Sequence, residues 1–93
     1  MKVVWVEHAR NRLADIQRYI ERDSAGRAAE FCIRLIDATE QLADHPLSGA
    51  LLPEDGAYRQ LVVDEYRIIY RVGDQAVYVM TFVAPGMLYE QAL

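Results

Sequence analysis

The sequence predicts an α+β fold in two layers: an αα-hairpin packed on a mainly antiparallel sheet, in the order β-α-α-β-β-β. Three observations predict it. Between Tyr58 and Val83, three runs rich in Val, Ile, Leu and Tyr are separated by Asp64-Glu65 and by Gly73-Asp74, which reads as an antiparallel meander. Ahead of them, two stretches carry apolar residues at helical spacing, with a break at Asp23-Ser24-Ala25-Gly26. At the start, Lys2 to Val6 is a short β-branched run containing Trp5, the pattern of a first strand.

In the first helical stretch, His8 to Arg22, the apolar residues Ala9, Leu13, Ile16 and Ile20 are spaced four, three and four apart and form one stripe. Arg10, Arg12, Asp15, Arg18, Glu21 and Arg22 then point to water. Ser24 is placed to cap the second helix, its hydroxyl accepting from a free amide of the first turn. Ala28, Phe31, Cys32, Leu35, Thr39 and Leu42 form the buried side of that helix. It should end by His45, because Pro46 disfavours helical geometry in the residue before it. Residues 45–57, with Pro46, Gly49, Pro53 and Gly56, read as a loop. The hairpin should cover one face of the sheet, burying Trp5, Leu13, Ile16, Ile20, Phe31, Leu35 and Leu42.

Side chains alternate along a strand, so Tyr66, Ile68, Tyr70 and Val72 share one face and Arg67, Ile69 and Arg71 the other. The first set is the core side. The second presents two arginines with no acidic partner in their own strand, either a solvated face or a binding surface. The tail after Pro85-Gly86 holds Met87, Leu88, Tyr89 and Leu93, unusually apolar for a terminus. It should dock on its own sheet or on a dimer mate, or else anchor a target protein.

Composition narrows the function. At 93 residues the chain is expected to be a single domain, 1–93, with a short apolar tail at 84–93, and its 53% apolar content is that of a folded protein. A net charge of −4 is not the basic footprint of a protein that wraps nucleic acid. Cys32 has no partner for a disulfide. The N-terminal run lacks a signal-peptide core, and no apolar run reaches membrane-spanning length, so a soluble cytoplasmic protein with no membrane partner is expected.

No glycine-rich phosphate loop, paired cysteines or His-Glu-x-x-His occurs. No cofactor or metal is expected. His8 and His45 read as residues of the helix ends. What remains is Arg59, Arg67 and Arg71 with Tyr58, Tyr66, Tyr70 and Tyr89. Arginines can hold a phosphodiester and stabilise its developing charge. Cleavage also needs a base for the ribose 2′-hydroxyl and an acid for the leaving oxygen, and the sequence places no clear pair for those roles.

Trp5, Ala9-x-x-x-Leu13-x-x-Ile16-x-x-Tyr19-Ile20, Ser24, Ala28-Ala29-x-Phe31, Leu42-x-x-His45-Pro46-x-x-Gly49, Arg59-x-Leu61 and Tyr66-Arg67-Ile68-Ile69-Tyr70-Arg71-Val72 together resemble the RelE/ParE superfamily of type II toxin–antitoxin toxins. The resemblance runs as far as Val83. It implies a growth-inhibiting toxin of the plasmid-stabilisation kind, neutralised by a cognate antitoxin, as a homodimer or in a hetero-oligomer with that antitoxin. ParE-like members poison DNA gyrase; RelE-like members cut messenger RNA in the ribosome without a metal. The long hairpin with Tyr19-Ile20 and Phe31, and the acidic net charge, resemble the ParE-like branch more closely. In the RelE-like alternative, Arg67 matches the family arginine of the third strand, Arg59 lies near a family lysine, and Tyr89 stands for a catalytic tyrosine. Ala84-Pro85-Gly86-Met87 departs from that pattern, since relatives carry basic residues or a His there. A non-toxic interaction module of the same fold is the third reading. By resemblance, Leu13, Tyr19, Ile20, Phe31 and Val79 would contact the antitoxin. Arg67, Arg71, Met87, Leu88 and Tyr89 would contact the target.

Overall fold

The computed structural model describes residues 1–93. Strand β1 (Lys2–Trp5) leads into helices α1 (Glu7–Glu21) and α2 (Ala25–Glu40), which a 3-10 turn (Gln41–Ala43) extends. Strands β2 (Ala50–Leu52), β3 (Asp55–Val63), β4 (Tyr66–Val72) and β5 (Ala76–Val83) follow, and a last 3-10 turn spans Tyr89–Ala92. The sheet order is β1-β5-β4-β3-β2, with β1 parallel to β5 and every other pair antiparallel. This is the predicted α+β architecture with one strand more. Residues 45–57 are not all loop: β2 lies within them, and β3 starts at Asp55 rather than Tyr58. Three residues between Gly49 and Pro53 carry too little pattern to announce a strand, and pairing with β3 creates it.

The helices form where the apolar spacing places them. Ser24 accepts a hydrogen bond from the Arg27 amide at 3.2 Å, capping α2. Ala28, Phe31, Cys32, Leu35, Thr39 and Leu42 are all buried. Phe31 and Leu35 join Ala9 and Ile16 of α1 over Ile68, Val79 and Phe82 of the sheet, the main core between the layers. Trp5, Leu13 and Ile20, expected inside, are only half-buried; they pack on the rim of that core, where the layers part.

The meander turns as expected. Asp64 and Glu65, with φ of 49° and 70°, make the two-residue turn from β3 to β4, and both supply the left-handed geometry that such a hairpin demands. Between β4 and β5 the pairing runs Ile69 with Thr81 and then Tyr70 with Val79, so Met80 is a bulge residue. Tyr66, Ile68, Tyr70 and Val72 face the helices, and Arg67, Ile69 and Arg71 face away.

That second face is not simply solvated. The tail folds back across it, and Ala92 is buried against Leu52, Ile69 and Val83, with Tyr58, Met87 and Tyr89 around them. Two side chains hold the end of the tail: Thr81 Oγ1 donates to the Ala92 carbonyl at 2.5 Å, and His8 Nε2 donates to the same oxygen at 2.7 Å.

Tyr70 fastens the loop before β2. Its hydroxyl accepts from the Gly49 amide and donates to the Pro46 carbonyl, both at 2.9 Å. A Cβ on Gly49 would meet the Gln60 carbonyl oxygen at 2.5 Å and the Tyr70 hydroxyl at 2.6 Å. Gly49→Ala is therefore expected to cost about 1–3 kcal/mol, since backbone on one side and a buried ring on the other leave no room to yield. Gly56→Ala, with nothing within 4 Å of the added carbon, is the control. Urea denaturation of the two variants should separate them clearly.

Candidate functional site

Strand register distributes the candidate residues over both faces of the sheet. Arg59 pairs with Tyr70, which puts it on the helix side, and its Nη1 donates to the Gly49 carbonyl at 2.8 Å. Arg67 pairs with Val62 and lies on the opposite face. The two cannot grip one phosphate. Tyr89 does share the face of Arg67, so of the three residues the RelE-like alternative needs, the fold brings together only Arg67 and Tyr89.

Arg67 is already occupied. Its Nη1 and Nη2 donate to the two carboxylate oxygens of Glu54 at 3.0 and 2.8 Å, and its Nε donates to Gln60 Oε1 at 2.5 Å. Three of its five N–H donors, including the Nη1/Nη2 pair that would grip a phosphate in fork geometry, are engaged inside the chain. The missing acidic partner of the sequence reading is thus Glu54, at the turn from β2 to β3, brought in by the strand that the sequence hides. The hydrogen bond from Arg67 holds the Glu54 carboxyl below its usual range, and the same bond pushes Arg67 up. Burial raises the Tyr89 phenol, with Asp55, Tyr58 and Glu54 adding to the effect and Arg67 opposing it. The shift favours the protonated phenol. Arg71 lies with its guanidinium carbon 4.8 Å from the centroid of the Tyr78 ring, a cation–π contact on the same face.

The Glu54–Arg67 pair makes a pH prediction. A depressed folded pKa means that the stabilisation is fully present above the unfolded carboxyl value, about 4.3, and is lost as pH falls through the lower folded value. The difference in denaturation midpoint between the wild type and Glu54→Gln should be modest near neutrality and should close in acid. A difference that persists unchanged in strong acid would show that the charge of Glu54 is irrelevant.

The residues assigned to an antitoxin divide differently. Tyr19 stands out from α1 at 66% exposure. Leu13 shares a groove of about 300 Å³ with Trp5, Arg10 and Ile36, where the two helices and β1 meet. Ile20 is half-buried. Phe31 and Val79, however, lie inside the core, Phe31 against the Tyr66 ring at 4.6 Å between centroids and Val79 fully enclosed. Neither offers a surface to a partner in this conformation. Alternation alone could not reveal this for Val79, because β5 is covered on both faces. Ile33 and Ile36, exposed on the outer side of α2, are apolar surface that the buried-stripe reading passed over. Of the target residues, Leu88 is exposed, whereas Met87 and Tyr89 are half-buried against the sheet. His8 and Arg12 were also unforeseen as tail-holding groups, since their partners lie 70 residues or more away along the chain.

Buried Cys32, its thiol raised first by burial and then by Glu21, packs as an apolar side chain. No helix is long and apolar enough to cross a membrane.

A helical hairpin on a five-stranded sheet, with apolar grooves on the outside and with Arg59 and Arg67 engaged inside the chain, makes a small α+β protein. The family model described as the ParE toxin of the type II toxin-antitoxin system, parDE, matches residues 3–87. The chain belongs to that family. Its structure is similar to a solved one described as the chromosomal ParDE TA system from P. aeruginosa, with a TM-score of 0.74 and 19% sequence identity, covering 86% of this chain and 90% of that one. At that identity the likeness is one of fold. No curated protein sequence matches the chain.

Proposed function

We propose that the 93 residues act as one toxin domain that arrests bacterial growth by inhibiting DNA gyrase, and that a cognate antitoxin neutralises it. Family membership supports a toxin role. The observation that favours gyrase over RNA is the closed Arg67 fork, filled by Glu54 and Gln60, with Arg59 on the opposite face. A metal-independent ribonuclease needs its cations free and convergent on the scissile phosphate. A toxin that binds a protein target does not. The cytoplasm, where gyrase and a freshly made antitoxin meet, is the compartment this reading requires.

Neutralisation would use the hairpin and a sheet edge. The groove of Trp5, Leu13 and Ile36, with Tyr19 and Ile20 beyond it, suits the apolar face of a helix, and the outer edges of β1 and β2 can each accept an added strand. The test is direct. Purified protein should block supercoiling of relaxed plasmid by gyrase, leave ribosome-bound messenger RNA uncut, and lose its effect when the product of a neighbouring antitoxin gene is added. Messenger RNA cleavage with unimpaired gyrase would refute the proposal. Hydrogen exchange on the neutralised complex should show new protection in the hairpin and along a sheet edge; protection confined to 84–93 would exclude this mode of docking.

A further inference from the structure

Where α1 passes the end of β5, the side chains of Arg12, Tyr19, Tyr66, Ala84, Pro85 and Met87 line a recess of about 460 Å³. Arg12 was expected to point to water. Instead it is half-buried and turns inward, where Nε and Nη2 donate to the Phe82 carbonyl at 3.2 and 3.0 Å and Nη2 approaches Met87 Sδ at 3.4 Å. These bonds fix the plane of the guanidinium and leave Nη1 with no partner. No carboxylate pairs with Arg12, although the chain has 14 acidic residues, and none lines the recess. The neighbouring Asp15 is committed to Arg18. A second arginine without an ion-pair partner, Arg22, lies over the ring of Tyr19, one wall of the recess, at 5.8 Å.

The walls supply the rest of a recognition site. Burial and the nearby Tyr19 raise the Tyr66 phenol while Arg12 opposes them, so its hydroxyl is a donor at neutral pH. An oriented N–H donor, phenolic donors and an apolar floor of Ala84, Pro85 and Met87 match a singly charged planar anion on a short methylene stem. A carboxylate and a phosphodiester each carry one negative charge, so a single guanidinium balances either; the chain's net charge of −4 is what disfavours a nucleic-acid backbone and leaves a protein carboxylate.

We propose that this recess receives the carboxylate of an Asp or Glu in an acidic segment of a partner protein, with Arg12 as the charge partner and Tyr19 and Tyr66 as flanking walls. The inference draws on the proposed function only in taking the partner to be a protein. Charge complementarity carries it: Arg12 has no carboxylate partner on a chain with 14 acidic residues, and its Nη1 is left to donate into the recess.

The full chain labelled with 15N should be titrated at low salt with acetyl-hexaglutamate amide, and in parallel with acetyl-hexaglutamine amide and inorganic phosphate. Saturable shifts are expected at the Arg12 Nε–H and at the Tyr19, Tyr66 and Met87 amides with the glutamate peptide alone. Arg12→Gln should weaken binding at least about tenfold, the effect of losing a hydrogen bond to a charged group. Because Arg12 also brackets β5, Tyr19→Ala provides a second variant at an exposed site; it should weaken binding while leaving the remaining spectrum in place. Three outcomes would overturn the assignment: shifts spread evenly over Arg27, Arg34 and Arg71, equal affinity in both variants, or phosphate saturating the same signals as tightly. A chain that binds the peptide here yet leaves gyrase untouched would retain this site and refute the gyrase reading, so the two failures are distinguishable.

Discussion

Truncation of Leu35 to Ala is expected to destabilise the protein by about 2–5 kcal/mol, the range for deleting a fully enclosed leucine from a core that cannot collapse. Leu35 has no exposed surface and lies midway along α2, in one cluster with Ala9 and Ile16 of α1 and with Ile68, Val79 and Phe82 of the sheet. The cavity would open between a helix pair and a hydrogen-bonded sheet. Neither moves easily: β4 and β5 are the central strands, each paired on both sides, and α2 is tied down at its start by the Ser24 cap. Both the transfer term and the cavity term should therefore appear. A domain of this size has roughly 5–15 kcal/mol in total, so this one change removes a large share of it. Ile36→Ala, one residue further on and 37% exposed, should cost far less, because part of that side chain is already in water. Urea unfolding followed by circular dichroism would give both values. A Leu35→Ala cost below that of Ile36→Ala would mean that α2 does not sit on the sheet with the described face.

The contrast between these neighbours was legible in the sequence. Ala28, Phe31, Cys32, Leu35, Thr39 and Leu42 recur at helical spacing, and that period is set by the backbone alone. The alternation in β4 was legible for the same reason: whichever strands flank it, Ile68 and Tyr70 must share a face that Arg67 does not. What stayed hidden depends on contacts between distant parts of the chain. β2 owes its existence to β3, the Arg67–Glu54 pair depends in turn on the turn between them, and the tail is placed by His8 from the start of α1. The candidate site suffered most. Whether Arg59, Arg67 and Tyr89 converge is a question of strand register, and pairing Arg59 with Tyr70 sends it to the wrong face. Arg12 looked like any solvent-facing helical arginine until the end of β5 came beneath it.

Growth arrest should survive Arg67→Ala and be lost when Leu88 and Leu93 are both replaced by Asp. Deleting Met87 to Leu93 would not be a clean test, because the deletion also strips Ala92, Tyr89 and Met87 from the cluster around Ile69 and would damage the fold. Leu88 and Leu93 avoid that difficulty: they are 63% and 68% exposed and flank a 3-10 turn that Thr81 and His8 pin to the sheet. The tail thus offers two apolar side chains from a held backbone, the arrangement in which a protein interface concentrates its energy. If they anchor gyrase, losing two such contacts should cost 2 kcal/mol or more, about thirtyfold in affinity, enough to abolish arrest at ordinary expression. If the protein instead cuts RNA, Arg67 must release Glu54 and stabilise the cleaved phosphate, and Arg67→Ala should lower the rate by roughly 10²–10³. Under that mechanism the two leucines are bystanders. Both variants should keep the circular dichroism spectrum of the parent, because an exposed leucine and a surface ion pair each contribute little to stability. Assayed side by side for growth and for supercoiling, they give opposite answers under the two mechanisms, and persistence of arrest in the leucine variant with its loss in Arg67→Ala would move this protein from gyrase to RNA.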